Sequence, residues 1–99
     1  MLDKAKQLWD LQKKARAIQK ELKETEIEAK AANGLVTVVV NGEQHVVSME
    51  IDESLLNVEN KRDLERALTQ ATSEALSRAQ AIAAEKMKAI AGDLNIPGL

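Results

Sequence analysis

The sequence predicts an α+β fold: a helix, a three-stranded antiparallel sheet and a second helix, as one domain over residues 1–99. Three observations carry that prediction. Residues 3–24 are charged, with apolar side chains at heptad spacing. Residues 33–52, NGLVTVVVNGEQHVVSMEID, form the only stretch rich in β-branched residues, which favour strands. Residues 60–91 are long, Ala-rich and again periodic at helical spacing.

In the first segment Leu8, Leu11, Ala15, Ile18 and Leu22 are spaced 3, 4, 3, 4, a seam along one face of a helix from about Asp3 to Glu24. Such a helix is roughly 30 Å long, too long for one small hairpin to cover. Part of it is expected to pair with another helix or to protrude. Residues 25–32, TEIEAKAA, have a helical composition. Yet Ile27, Ala29 and Ala31 alternate with Glu26, Glu28 and Lys30, which is the period of a strand. A first strand is expected here, closed by a turn at Asn33-Gly34.

Leu35–Val40 and Gln44–Ile51 flank Asn41-Gly42, a hairpin signal in which both turn residues tolerate φ > 0. Alternation puts Val36, Val38, Val47, Met49 and Ile51 on one face and Leu35, Thr37, Val39, Val46 and Ser48 on the other. Both faces carry apolar groups, so one is expected to take the chain's own helices and the other, or an edge, a partner. Asn60 is the candidate cap of the second helix, with Asp63 in its first turn. That helix is expected to end near Ala91, at Gly92. Its apolar residues read as two bands, Leu64/Leu68/Ala71/Ala75/Ile82 and Leu76/Ala79/Ala83/Met87/Ile90, or as one wide buried face. The tail DLNIPGL, with Pro97, is expected to dock loosely or to move.

Composition narrows the class. Hydrophobic residues make up 44% and charged residues 30%, as in a soluble folded chain. With no Phe or Tyr and one Trp, the core is thin for 99 residues, so burial shared with a second copy, a homodimer, is expected. The lack of Cys excludes disulfides and thiolate metal sites. No apolar run approaches the roughly 20 residues of a membrane span. The opening MLDKAKQLWDLQKK lacks the apolar stretch of a signal peptide. A cytoplasmic protein without membrane attachment is expected.

Catalysis finds no support. The one histidine, His45, lies in an expected strand beside a turn. Ser48, Ser54, Ser73 and Ser77 have no evident base to activate them. Gly34 and Gly42 are turn glycines rather than a phosphate loop, and no metal-ligand spacing occurs. No cofactor and no small-molecule substrate are expected.

The functional signal lies on the first helix. Lys6, Trp9, Lys13, Arg16, Lys20 and Lys23 follow their own 3, 4, 3, 4, 3 spacing, off the leucine seam. They make a row about 25 Å long in which every member but the tryptophan is cationic. Asp3, Asp10 and Glu24 lie on its flanks. Lysines that neutralise phosphates, with an arginine and an aromatic among them, suit a polyanion. Any amphipathic helix also places lysines opposite its seam, and Trp9 could instead seal a dimer contact. The net charge of −2 requires the charges to be segregated if DNA is the ligand.

NGLVTVVVNG, VVSMEIDESLL and the terminal GDLNIPGL, together with the opening KAKQLWDLQKKARAIQKEL, resemble the YbaB/EbfC family of bacterial nucleoid-associated proteins. The resemblance spans nearly the whole chain and rests on the order and spacing of these segments. It implies a helix, three antiparallel strands and a helix, dimerised into a tweezer shape with protruding helices. It also implies binding of double-stranded DNA with relaxed sequence preference, chromosome organisation by compaction, influence on transcription, and a place at the nucleoid. The chain departs from the family at Ala31-Ala32-Asn33-Gly34, where a glycine-rich run is common. Ser73 stands for a common Asn, and Trp9 for a usual Gln or Met. The family supplies no contact motif, so the candidate DNA-binding residues are those of the row, with Lys61, Arg62 and Arg66 at the start of helix 2 as further candidates. A second functional class fits the layout, a helix-hairpin-helix interaction protein or holdase-type chaperone whose coiled-coil arms grip apolar clients.

Overall fold

A computed structural model describes residues 2–93. Helix α1 (Leu2–Glu24) leads into strands β1 (Glu26–Ala31), β2 (Val36–Asn41) and β3 (Val46–Ile51). Two 3₁₀ turns (Glu53–Leu55 and Val58–Asn60) then precede helix α2 (Lys61–Asp93). The sheet is antiparallel in the order β1-β2-β3. The expected α+β order of elements is the one observed, and TEIEAKAA is the strand its alternation indicates. The expectation for the tail, residues 94–99, lies outside the described residues.

Cross-strand partners share a face of the sheet. The inner rows are Ile27/Val40/Val46, Ala29/Val38/Met49 and Ala31/Val36/Ile51. Val36, Val38 and Val40 on the central strand are fully buried. The cover is α2, which lies over β1 and β2. It meets them with Ala67, Ala71, Ala75 and Ala79, one residue per turn, three of them with no exposed surface. Alanine lets the helix backbone approach the valine layer closely. Leu64, Leu68, Leu76 and Ile82 flank that line and pack on the same core. The two bands of α2 are therefore one wide face, whose centre line is alanine.

The pairing of β2 with β3 slips between Val39 and Val40, so that Val46 and not Val47 opposes Val40. This bulge overturns one expected assignment: Val46 belongs to the inner row. The extra residue in β3 is Val47.

The hairpin turn also differs from expectation. Gly42 is not at positive φ; the left-handed residue of that loop is Gln44, at φ 67°. Asn41 ends β2, and its Oδ1 accepts from the backbone N–H of Glu43 and His45. Gly42 is needed for proximity. A Cβ there would lie 2.7 Å from the Leu22 carbonyl oxygen and 2.9 Å from its Cα. The Gly42 N–H donates to the Leu22 oxygen at 2.7 Å and to the Thr25 oxygen at 3.0 Å. The last carbonyls of a helix lack partners within it, and Gly42 serves one of them, tying the arm to the sheet. At the other turn Ala32, Asn33 and Gly34 all have positive φ, which only the glycine adopts freely.

α2 begins at Lys61, directly after Asn60 as expected, but the side-chain cap in this segment is Asn57, which caps the 3₁₀ turn ahead of the helix. The Asn57 side chain accepts from the Asn60 N–H at 2.9 Å and starts the 3₁₀ turn that runs into the helix. Asn60 itself donates its side-chain amide to the Ser54 oxygen. Nor does Gly92 stop the helix, which continues to Asp93.

Beyond the sheet, α1 packs against α2. Lys86 pairs with Glu21, and Arg78, two turns earlier in α2, donates to the Glu28 oxygen at 3.0 Å. Leu22 and Ile90 are buried outside the main core. The molecule measures 67 × 23 × 15 Å, a sheet with a two-helix arm.

Candidate nucleic-acid interface

All six members of the α1 row, Lys6, Trp9, Lys13, Arg16, Lys20 and Lys23, are exposed. The seam between them and α2 explains why. Leu11, Ala15 and Ile18 are half-buried and Leu22 is buried, so the opposite side of the helix faces water. Lys23 also falls in the last turn of α1, where a cation meets the negative end of the helix dipole favourably.

Trp9 is 58% exposed. The Lys13 ammonium sits 5.7 Å from its ring centroid, one turn along the same row, within cation–π range. Arg16, Lys20 and Lys23 come together near the base of the arm. With Gln19 and Glu43 they line a depression of about 340 Å³. Glu43 belongs to the β2–β3 loop, beside the Gly42 contact, so the loop that anchors α1 also places a carboxylate among its cations. Sequence spacing alone does not reveal this neighbour, because the contact joins segments 20 or more residues apart.

Lys61, Arg62 and Arg66 are exposed on the first turns of α2. Arg62 and Arg66 line a different depression, of about 540 Å³, with Glu65, Thr69, Gln70 and Ser73. Lys61 is 3.8 Å from Glu65. The two groups of cations share no lining residue, and carboxylates dilute the α2 group. Thr69, Gln70 and Ser73 were not among the expected candidates; they bear no charge and leave no pattern to find.

Acidic groups gather elsewhere. Glu50, Asp52 and Glu53 line a depression of about 380 Å³ with Gly34, Leu35, Thr37 and Ile51, at the end of the sheet away from α1. The Ser54 backbone N–H and hydroxyl hold the Asp52 carboxyl below its ordinary value. Within the net charge of −2, the cations of the α1 row share one face, while Glu50, Asp52 and Glu53 line a depression at the other end of the sheet. Among the described residues no group of three or more His, Asp or Glu could hold a metal ion, and no helix is long and apolar enough to cross a membrane.

An elongated helix–sheet–helix protein with a cationic arm is the class that this geometry defines. The model of the YbaB/EbfC DNA-binding family matches residues 1–94, and the chain belongs to that family. It is 42% identical over 89 residues to a nucleoid-associated protein of Syntrophobacter fumaroxidans, covering 90% of this chain and 81% of the relative. A nucleoid-associated protein of Thermoanaerobacter pseudethanolicus is 36% identical over 94 residues, covering 95% and 85%. The crystal structure of an uncharacterized protein, HP0035, from Helicobacter pylori superposes with a TM-score of 0.67 at 26% identity, covering 88% of this chain and 96% of that one. The chain is thus a member of a DNA-binding family, and the relatives it matches are named nucleoid-associated proteins.

Proposed function

We propose that the chain works as a homodimer that binds double-stranded DNA with relaxed sequence preference, compacts it at the nucleoid and thereby modulates transcription. The observation that carries the reading is the α1 row: five cations and one aromatic, all exposed, on an arm that stands clear of the main core. Phosphate neutralisation releases counterions whatever the base sequence, so affinity comes without base reading. Lys61, Arg62 and Arg66 add a second, weaker contact.

The dimer rests on β3. The main cover of α2 lies over β1 and β2. Val46, Val47 and Met49 stay about half exposed, and one edge of β3 is unpaired. An exposed apolar edge strand invites a second chain. A copy seated there would complete the cover of the inner face, leave both arms free and double the cationic row.

An electrophoretic shift with random duplex at low and physiological salt tests the reading. Binding at low salt that falls steeply as salt rises, equally for unrelated sequences, supports it. Binding that ignores salt overturns it. Light scattering that finds a folded monomer at micromolar concentration removes the two-arm arrangement. Exposed Leu8, Trp9 and Met87 favour the holdase-type alternative, which a failed shift assay would bring forward.

A further inference from the structure

We propose that the α1 row is also a track for single-stranded nucleic acid, on which Trp9 is the platform for an unpaired base. This rests on the same polyanion reading of the arm and adds a substrate form to it.

The first argument is geometric. The row from Lys6 to Lys23 is straight and about 25 Å long. A B-form duplex turns once in about 34 Å, so over that length each strand winds roughly three-quarters of the way round the cylinder. A straight row touches such a backbone only where a strand crosses it. A single strand is flexible and can lie along every cation in turn.

The second argument is chemical. Trp9 is the chain's only aromatic residue, and it is placed in solvent rather than in a core that has none. Phosphate neutralisation gives no use for an indole there. The Lys13 ammonium lies near the ring; the side chain still presents more than half its surface, enough for a base to stack. Stacking on an exposed aromatic within a cationic track is how proteins hold unpaired bases without sequence preference. In a duplex the base faces are already stacked on one another and closed to the ring.

The flank of the row is the third observation. Asp10 and Glu21 lie to one side of it on the helix surface, and Glu21 is held there by Lys86. Carboxylates on a flank would face a phosphate wall if α1 entered a groove. They do not obstruct a strand lying along the crest, which a carboxylate, Glu43, meets at the base of the arm.

The test uses the single tryptophan as reporter. The full chain is titrated at low salt with a 25-nucleotide oligo-dT and, separately, with a 25-base-pair random duplex, following fluorescence and anisotropy. Oligo-dT is expected to quench Trp9 strongly and the duplex weakly. Trp9→Ala should weaken oligo-dT binding about 10-fold, the size of one stacked base, while duplex affinity changes less than about twofold. Trp9→Phe should restore most of the loss. Equal quenching by both forms, or unchanged oligo-dT affinity in Trp9→Ala, overturns the proposal. So does loss of the dimer in Trp9→Ala, which would place the ring between copies. If Lys13→Glu/Arg16→Glu/Lys20→Glu loses oligo-dT but keeps duplex binding, the single-strand track stands and the duplex site must lie elsewhere. If that variant keeps both, the track is refuted along with the duplex reading.

Discussion

Residues 67–79 of α2 and residues 8–22 of α1 are both helical and both apolar at helical spacing, yet they bury to very different depths. Ala67, Ala71, Ala75 and Ala79 are closed off completely or nearly so, although each side chain is a single methyl. Leu8 is 63% exposed, Leu11, Ala15 and Ile18 are intermediate, and only Leu22, next to the sheet, is buried. Small residues against a sheet meet a continuous wall of valine. Large residues on a two-helix arm meet only one neighbour, and cover fades with distance from the sheet. Stability is therefore concentrated at the sheet, and the arm is left to carry charge. The same division explains how an acidic chain can present a cationic face.

The largest expected effect lies on the arm. Lys13→Glu/Arg16→Glu/Lys20→Glu should lower duplex affinity at low salt by at least about 100-fold, since three cations facing the polyanion become three repelling charges. The melting temperature should stay within about 2 °C, because all three side chains are exposed and Glu is as good a helix former as Lys. A large fall in melting temperature would show that the arm contributes to folding as much as the sheet does, and the division would fail.

The complementary variant is Ala75→Leu. Ala75 has no exposed surface and lies over the sheet. Inserting a larger side chain should cost about 1–3 kcal/mol, a drop in melting temperature of at least about 4 °C. Duplex affinity per folded molecule should not change. A chemical denaturation series paired with the shift assay measures both.

Gly42 is where the two regions join. Gly42→Ala puts a methyl within 3 Å of the Leu22 backbone, so the arm or the loop must shift. The expected cost is roughly 1–2 kcal/mol, at the lower end for overpacking. Gln44→Gly should be neutral or stabilising, because it places glycine at the residue that holds φ 67°. If the signs are reversed, Gly42 serves φ after all and the tie between loop and arm is unimportant.

This pair also marks what could be read from the sequence and what could not. The element order, the strand hidden in TEIEAKAA and the outward row of cations were legible, because each is a local period of two or of 3.6. The Asn41-Gly42 pair was legible as a turn, but not the reason for its glycine. That reason is a contact with Leu22, 20 residues away, and no local pattern encodes it. The bulge at Val46-Val47 was hidden for a related reason: either register keeps valine facing inwards, so alternation cannot choose. The apolar residues of α2 were legible as two bands or as one wide face, and periodicity could not choose, because it does not say that the alanines mark the line of closest approach to the sheet. The depression under Arg16, Lys20 and Lys23 was half legible, its cations from the helix and its Glu43 only from the fold.

The smallest expected effect distinguishes two asparagines. The sequence favours Asn60 as the cap of α2, since it directly precedes a charged first turn with Asp63 in it. In the structure Asn57 accepts the Asn60 N–H, and the 3₁₀ turn it starts passes into α2 without a break. Asn57→Ala should therefore cost about 1 kcal/mol, the usual loss for a side-chain cap. Asn60→Ala loses only a solvent-exposed bond to the Ser54 oxygen and should cost less than half as much. Both changes lie away from the α1 row, so any change in duplex affinity, through Lys61, Arg62 and Arg66 beside them, should be small next to that of the triple variant. Equal costs would mean that the two asparagines hold the Ser54–Asn60 turn as one unit. A larger cost at Asn60 would restore the cap to the place that the helix pattern alone assigns it, and would make the 3₁₀ turn before it a passive link rather than the start of α2.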